Sequence, residues 1–298
     1  MIRYLKHSAI NKKKWDDCIE KSNISRSFGF SWYLDIVSPN WHALVLDDYQ
    51  AVMPLTWKRR YGLFYLIQPV FCQQLGIFTL QPETFIHSFL KHIPRKFLCV
   101  KISISNNEPL TDSNFTFKTR TNYILYLKKS YQELKREYSK SNAKNIRKAI
   151  NREVMVTSCP KEESISFLQN EYHQLLGIRK KHFDVLNTIL ARGAKYGELE
   201  CFGAYSGKEL LASSCCLLVN KHIFMTMVAS GKGKKARALF LLIDNMIENF
   251  SNRDVFLDFG GSDVESIAYF FKGFGAQRES YYEILYSPLL AKFLSFGS

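Results

Sequence analysis

Two short segments near the C-terminus decide the fold: Leu-Asp-Phe-Gly-Gly-Ser at residues 257–262 and Ala-Tyr-Phe-Phe-Lys-Gly-Phe-Gly at residues 268–275. The first is typical of a buried strand that breaks at a pair of glycines. The second is typical of a helix that runs from Val264 to Lys272 and stops at a glycine. With a last strand expected over residues 281–286, the end of the chain is predicted to run strand, turn, helix, strand.

An antiparallel meander is predicted upstream of these segments. Strand-like apolar runs at residues 198–205, 210–219 and 222–228 are separated by Ser206-Gly207-Lys208 and Asn220-Lys221, which are typical hairpin turns. Helices are predicted on either side of the meander, over residues 162–181 and 236–250.

A basic loop, Ser230-Gly231-Lys232-Gly233-Lys234-Lys235, lies between the meander and the next helix. Backbone N–H groups at a helix N-terminus can hold a diphosphate, because unpaired donors and the helix dipole converge there. Glycines would let the backbone approach the ligand, and lysines would add positive charge. Taken alone, however, the loop fits an exposed turn with solubilising lysines better. The residues predicted to bind a donor here are Val228, Gly231, Lys232, Gly233, Lys235, Ala236 and Arg237.

The first half of the chain is predicted to be α/β. At its end, Ser130-Tyr131-Gln132-Glu133 matches a capping box, followed by a helix to Ile150 with an interruption near residues 139–142. We place the domain boundary at this junction, giving domains of residues 1–128 and 129–298, in line with the size of ordinary domains. The elements predicted before the junction are helices over residues 13–20 and 82–92 and strands over 41–47, 51–57, 63–67, 97–104 and 123–127.

Positive charge is concentrated in one part of the chain. The formal net charge is +14. Residues 1–128 carry 17 Lys/Arg against 9 Asp/Glu, residues 129–152 carry 8 against 2, and residues 153–298 carry 16 of each. Such a field attracts phosphate-rich partners, namely a nucleotide-linked sugar, the CoA diphosphate or tRNA. A solvated basic surface explains the charge equally well.

The composition indicates a soluble, cytoplasmic protein. No apolar run approaches the roughly 20 residues of a membrane helix, and the first residues lack the apolar segment of a secretory signal. The seven cysteines contain no CxxC pair and are predicted to be buried free thiols, with a catalytic thiol as the alternative. The seven histidines lack HxxxH or HExxH spacing, so we predict no metal site.

The segments quoted above resemble the end of the GNAT acyltransferase fold. They are similar in particular to the FemABX-like branch, whose members often contain D-F-x-G-S followed by F-[YF]-K-x-F-G. Residues 142–149, Asn-Ala-Lys-Asn-Ile-Arg-Lys-Ala, resemble the basic helix of that branch, and residues 120–125, Arg-Thr-Asn-Tyr-Ile-Leu, resemble the strand that closes its first domain. The resemblance implies an α/β (α+β) fold of tandem GNAT-like domains with mixed, mostly antiparallel sheets.

The resemblance also implies transfer of an acyl or aminoacyl group to an amine, with the first domain helping to bind the acceptor. Members of the branch move amino acids from aminoacyl-tRNA onto a cell-wall precursor, whereas ordinary relatives use acyl-CoA such as acetyl-CoA. The lysine of the second motif matches Lys272. A fixed ammonium there would stabilise the oxyanion that forms when an amine attacks an ester or thioester. The alternative is a surface lysine that is favourable at a helix C-terminus.

Two departures leave the donor open. Many GNAT enzymes contain R/Q-x-x-G-x-G/A in the diphosphate loop, but residues 233–238 lack the first polar residue and the central glycine. Many also place a tyrosine, as general acid for the leaving thiol, where this chain has Phe271, although Tyr269 lies nearby. The phenylalanine agrees better with the FemABX-like branch than with an acetyl-CoA enzyme.

The remaining candidates each have a structural alternative. Asp258 is predicted to be a general base or an acceptor-binding carboxylate, or else the cap of the Gly-Gly turn. Gln73, Tyr123 and Phe271 are predicted to line the substrate cleft, with buried loop contacts as the alternative. Lys144 and Arg147 are predicted to bind phosphate, with a solvated surface as the alternative.

A non-catalytic GNAT-fold protein that binds a nucleotide-linked or nucleic-acid ligand is the second functional hypothesis. The oligomeric state does not follow from the sequence.

Overall fold

The structure is a computed structural model that describes residues 1–23, 25–80, 82–105, 115–176, 178–261 and 263–286. Ser262 of the first quoted motif lies outside these residues. The chain forms two compact units, Met1–Thr121 together with residues 280–286, and Asn122–Glu279. The boundaries therefore fall inside two strands, β7 (Thr116–Tyr126) and β13 (Gln277–Tyr286). The division we predicted, after residue 128, differs because β7 begins in the first unit and the end of β13 returns to it.

The first unit contains a three-stranded antiparallel sheet and a second group of strands. In the first sheet the order is β1-β2-β3. In the second group, β5 pairs antiparallel with β4 and parallel with β6, which pairs antiparallel with the end of β13. The apolar core of the first unit includes the side chains of Phe89, Phe97 and Ile284. The elements are β1 (Ile2–Leu5), α1 (Lys12–Lys21), α2 (Ser31–Val37), β2 (His42–Leu46), β3 (Ala51–Leu55), β4 (Trp57–Arg60), β5 (Leu63–Ile67), α3 (Pro82–Lys91) and β6 (Phe97–Ser105).

The second unit is built on a sheet in the order β7-β12-β11-β10-β9-β8. Only β11 and β12 are parallel in this run; the other neighbours whose register is described are antiparallel. The elements are α4 (Tyr131–Arg136), α5 (Lys140–Ile150), β8 (Val154–Ser158), α6 (Lys161–Leu176), α7 (Lys180–Gly193), β9 (Glu198–Ser206), β10 (Glu209–Val219), β11 (His222–Ala229), α8 (Gly231–Ala236), α9 (Ala238–Phe250), β12 (Phe256–Asp258) and α10 (Glu265–Lys272).

Helices cover both faces of this sheet. Apolar residues of α5 and α9, including Ile146 and Leu242, share one core with Ala212 and Cys216 of β10. Ser164 of α6 instead contacts Ser213 and Cys215. Because successive strand residues point to opposite faces, α6 lies on the face away from α9.

The junction confirms the predicted capping box and the predicted interruption. Ser130 accepts a hydrogen bond from the Glu133 N–H, while the Glu133 carboxylate accepts one from the Ser130 N–H. Helix α4 then ends at Arg136, and α5 begins with Ser139 as its own cap, accepting from the Asn142 N–H at 3.1 Å. Since each helix has its own cap, the basic segment forms two helices.

Other predicted elements were too long or were missed. The helix predicted over residues 162–181 ends at Leu176, and a separate helix, α7, follows. The helix predicted from residue 236 begins at Ala238, because Arg237 adopts a left-handed conformation (φ 64°) between α8 and α9. Strand β8 was not predicted, since at the edge of the sheet it carries exposed residues such as Met155.

Candidate functional site

Strands β11 and β12 diverge after three residue pairs. They pair in parallel only at His222–Phe256, Ile223–Leu257 and Phe224–Asp258. Strand β12 then ends, and the chain turns at Gly260 and Gly261, whose φ angles are 77° and 71°. Strand β11 continues through Ala229, so within the described residues its last five residues have no β12 partner. The sheet is therefore open at this point on one edge of β11.

Tyr172 of α6 contacts the open part of β11. Its hydroxyl donates a hydrogen bond to the Met227 carbonyl at 2.7 Å. Burial raises the pKa of Tyr172, so the hydroxyl stays protonated and keeps its donor role. Val228, a predicted donor-binding residue, is buried in β11 opposite Ser213 of β10.

Asp258 lies at the end of β12, where the strands separate, and is almost fully buried. One carboxylate oxygen is 3.2 Å from His222 Nε2, and the other accepts a hydrogen bond from the Gly260 N–H at 2.9 Å. These contacts tie the carboxylate to the Gly-Gly turn, in line with the alternative prediction that Asp258 caps this turn. Its role as a base or acceptor ligand stays a prediction.

Lys272 is the last residue of α10 and is exposed. Its ammonium lies over the ring of Tyr123, 5.8 Å from the centroid. Tyr123 is buried, and its carbonyl accepts a hydrogen bond from the Phe259 N–H, one residue beyond β12. Two of the predicted site residues, Lys272 and Tyr123, are thus brought together next to the point where β12 leaves β11.

The neighbouring Phe271 is directed into the core. It is 4% exposed, stacks on Phe259 with ring centroids 4.6 Å apart, and contacts Tyr123 at 6.1 Å. Tyr269 is 60% exposed. Phe271 therefore anchors the end of α10, and Lys272 projects from an anchored helix.

Asn142, which was not singled out from the sequence, fixes the end of α10 from the other side. Its side-chain amide donates to the Phe270 carbonyl at 3.1 Å, and the Ser139 N–H donates to the Gly273 carbonyl at 2.9 Å. A Cβ on Gly273 would lie 2.5 Å from the Asn142 amide atoms. The first turn of α5 therefore sits directly against the residues around Lys272.

This contact predicts strong coupling between Asn142 and Gly273. Gly273 has ordinary helical angles (φ −64°, ψ −11°), so the backbone accepts alanine there, and the nearest atoms that its Cβ would meet are those of the Asn142 amide. We expect Gly273→Ala to lower the free energy of unfolding by about 1–3 kcal/mol. In an Asn142→Ala background the same change should cost markedly less, as measured by denaturant unfolding of the four proteins of a double-mutant cycle. Strictly additive effects would contradict the packing described here.

The predicted diphosphate loop forms a short helix, α8. Ser230 caps it by accepting from the Gly233 N–H at 3.1 Å. Gly233 packs so closely that a Cβ would lie 2.0 Å from the Leu211 carbonyl oxygen, whereas a Cβ on Gly231 would meet nothing within 4 Å. Lys232 forms an ion pair with Glu209 at 2.8 Å. Gly233 and Lys232 thus have structural partners, while Lys235 and Arg237 are exposed and Ala236 is half-buried.

A basic surface extends from this loop to α5. The Arg152 guanidinium donates to the Lys235 carbonyl, which joins the end of α5 to α8. The predicted phosphate-binding residues Lys144 and Arg147 are exposed on α5, as is Lys148. Helix α9 starts nearby at Ala238 with no side-chain cap from Arg237. Lys235 and Arg237 therefore lie next to the start of α9, and the Arg237 side chain does not cap that helix.

Gln73 lies in the first unit. It is half-buried, and its side-chain oxygen accepts a hydrogen bond from Gln74 at 3.2 Å. Its predicted acceptor-binding role stays a prediction.

Within the described residues, no group of three or more His, Cys, Asp or Glu side chains is placed to hold a metal ion. Within the same residues, none of the helices has the length and apolarity needed to cross a bilayer.

Comparison with solved structures confirms the predicted fold. No protein-family model matches the chain, and no curated protein matches it. A crystal structure of FemX aligns over 93% of this chain and 96% of that chain, with a TM-score of 0.66 and 12% identity. The C-terminal DUF2156 domain of a putative lysylphosphatidylglycerol synthetase from Agrobacterium fabrum aligns over 93% and 92%, with a TM-score of 0.56 and 7% identity.

A tandem GNAT protein from the clavulanic acid biosynthesis pathway aligns over 96% of this chain and 98% of that chain, with a TM-score of 0.51 and 9% identity. The chain therefore has a GNAT/FemX-like fold of mixed α/β type with a mostly antiparallel sheet. At these identities the likeness establishes the fold.

Proposed function

We propose that the chain is an N-acyltransferase whose second unit carries the acyl-transfer site, with Lys272 stabilising charge. The observation that carries this proposal is the position of the Lys272 ammonium over Tyr123, beside the point where β11 and β12 separate. Within the part of the chain that the structure describes, no carboxylate pairs with Lys272. Its charge is therefore available to a ligand. The GNAT/FemX-like fold supports the same activity.

The chemistry requires a place for an oxyanion. The amine of the acceptor attacks the carbonyl carbon of an ester or thioester, and the carbonyl oxygen becomes negatively charged in the tetrahedral intermediate. Lys272, held at the end of α10 by Phe271 and Asn142, supplies a fixed positive charge to that oxygen. Collapse of the intermediate forms the amide and breaks the bond to the donor oxygen or sulfur, and the proton lost by the attacking amine ends on that atom, so the donor leaves as a hydroxyl or thiol. Phe271 has no proton to give to this leaving group.

The open part of β11 suits an extended donor arm. The backbone of an unpaired strand edge can hydrogen-bond to an added extended chain. Tyr172 already donates to the Met227 carbonyl, so a donor amide would share or replace that bond. The donor's phosphates would bind at the start of α9, beside Lys235 and Arg237, where the helix dipole adds to their charge.

The basic surface on α5 favours a polyanionic donor such as aminoacyl-tRNA over a small one. Lys144, Arg147 and Lys148 add three exposed cations on α5, and Arg152 just after this helix hydrogen-bonds to Lys235 of α8. Binding dominated by such contacts weakens steeply as salt rises, because counterions are released from the phosphates. The resemblance to FemX supports an amine on a cell-wall precursor as the acceptor. Acyl-CoA is the other donor class.

One observation favours a second candidate, a GNAT-fold protein that binds a nucleotide-linked or nucleic-acid ligand without catalysis. Gly233 packs against Leu211, and Lys232 pairs with Glu209. Two residues of the loop that would hold a donor diphosphate are therefore engaged within the protein. Such a protein would bind the same polyanions through α5, and loss of Lys272 would leave its function unchanged.

A thermal-shift experiment tests the donor assignment. We expect tRNA to raise the melting temperature, since a ligand that binds only the folded state stabilises it by mass action. The shift should shrink as salt is raised and should be lost in a Lys144→Ala/Arg147→Ala variant. The comparison ligands are CoA, acetyl-CoA and UDP-linked muropeptides. A shift with acetyl-CoA alone would assign the thioester donor, and no shift with any of the four would contradict the proposed enzyme.

A further inference from the structure

Two cysteines lie directly opposite each other on the face of the second unit's sheet that α6 covers. Cys201 of β9 and Cys215 of β10 are partners in the antiparallel register. The Cys201 carbonyl accepts a hydrogen bond from the Cys159 N–H, so the backbone of Cys201 faces β8 rather than β10. The pair is therefore of the non-hydrogen-bonded kind, in which opposite Cα atoms are closest, about 4.5 Å apart.

The two sulfur atoms are already in contact. Their separation is 3.2 Å. A Cα separation of about 4.5 Å lies within the range that a disulfide spans. No movement of the strands past each other is needed to join the two sulfurs.

The surroundings give the two thiols different properties. The hydrogen bond with Cys215 lowers the pKa of Cys201, and Ser164 and Lys161 lower it further against the opposing effect of burial. The same contact and burial raise the pKa of Cys215. The Ser164 hydroxyl is 3.1 Å from Cys215 Sγ and 2.6 Å from Ser213 Oγ. Cys201 is thus the better nucleophile of the pair.

The two cysteines differ in exposure: Cys201 is 8% exposed, and Cys215 is 0% exposed. Cys201 lines a cavity of about 410 Å³ whose other walls include Lys161, Glu200 and Asn249. Cys215 lies behind it and is fully buried. A thiol on a residue that lines a cavity and a second thiol in contact with it are the two parts that disulfide exchange needs.

We propose that Cys201 and Cys215 form a thiol–disulfide exchange site for small disulfides such as glutathione disulfide. The Cys201 thiolate attacks one sulfur of the reagent, forming a mixed disulfide and releasing one thiol. Cys215 loses its proton and attacks Cys201 Sγ, which forms the Cys201–Cys215 bond and releases the second thiol. The two protein thiols are oxidised, and one disulfide is reduced to two thiols.

Intact-mass analysis of the folded chain tests the site. After incubation with glutathione disulfide, acid quenching and alkylation of free thiols in denaturant, we expect the wild-type protein to carry five alkyl groups instead of the seven of the fully reduced chain. The mass left after subtracting those five groups should be that of the reduced chain less two hydrogen atoms. Peptide mapping should recover a Cys201–Cys215 cross-linked peptide, and a dithiol reductant should reverse the change. Alkylation of both cysteines after the incubation, or a cross-link to Cys159 or Cys216, would overturn the proposal.

Single substitutions separate the two roles. Cys215→Ser should stop at a glutathione adduct on Cys201, because the resolving thiol is missing. Cys201→Ser should give neither adduct nor cross-link. The matched control is Cys216→Ser, a change at the next residue, which points into the core on the other face of the sheet; it should behave like the wild type. A persistent Cys201 adduct in the wild-type protein would show that Cys215 does not resolve it.

Discussion

Replacing Lys272 by alanine is expected to lower turnover at least about tenfold, equivalent to about 1.4 kcal/mol of transition-state stabilisation. The reason is electrostatic: the oxyanion exists only after the amine has attacked, so a cation that meets it acts on kcat more than on substrate binding. Steady-state kinetics with the donor identified by thermal shift and an amine acceptor measure the effect.

The fold should survive this substitution. The ammonium is exposed, and its contact with Tyr123 is worth about 0.5–1 kcal/mol at such a site. The melting temperature of Lys272→Ala should therefore stay close to that of the wild-type protein. Lys272→Arg, which keeps a cation at the end of α10, should retain more activity than the similarly long but neutral Lys272→Met. Lys208→Ala, in the exposed turn between β9 and β10, is the distant control.

The set of variants separates the possible roles of Lys272. If a stable Lys272→Ala protein turned over at the wild-type rate, Lys272 would not be the residue that stabilises the oxyanion. If turnover fell with Lys272→Met but not with Lys272→Arg, the charge itself would be the cause. Equal losses in all three variants, together with a lower melting temperature, would instead indicate that the side chain positions α10.

The second unit's fold was predictable from local signals that act over a few residues. The capping box at Ser130 and the two-residue turn at Asn220-Lys221 satisfy or reverse the backbone by themselves. Strand β8 and helix α7 lack comparable signals. Met155 is exposed on an edge strand, and Lys180 begins α7 with no side-chain cap from Arg179. Their structures depend on neighbours that are distant in sequence.

The candidate site was predictable only where a motif marks it. Lys272 was found through the motif, but its contact with Tyr123 depends on a strand about 150 residues earlier in the chain. Asn142 could have been noticed, because it lies four and seven residues before Ile146 and Ala149 on the buried stripe of α5. A polar residue on such a stripe needs a buried partner. The sequence does not reveal that the partner is the end of α10.

The two glycines of the basic loop are expected to respond oppositely to alanine. Gly233→Ala places a Cβ 2.0 Å from a backbone oxygen, that of Leu211, and backbone cannot rotate away as a side chain can. We expect a loss of roughly 3 kcal/mol, the upper end of overpacking effects. For a unit of this size the loss corresponds to a drop of about 6–12 °C in melting temperature.

Gly231→Ala is the matched control, two residues away in the same helix. A Cβ there meets nothing within 4 Å, and alanine is a better helix former than glycine by up to about 1 kcal/mol. Its melting temperature should be unchanged or slightly raised. If Gly231 allows a donor phosphate to approach the backbone, the same variant should lose part of the ligand-induced thermal shift while remaining stable. If Gly231→Ala and Gly233→Ala were equally stable, the close packing of α8 against β10 would be contradicted. If the ligand-induced rise in melting temperature were undiminished in Gly231→Ala, Gly231 would have no role in binding the donor.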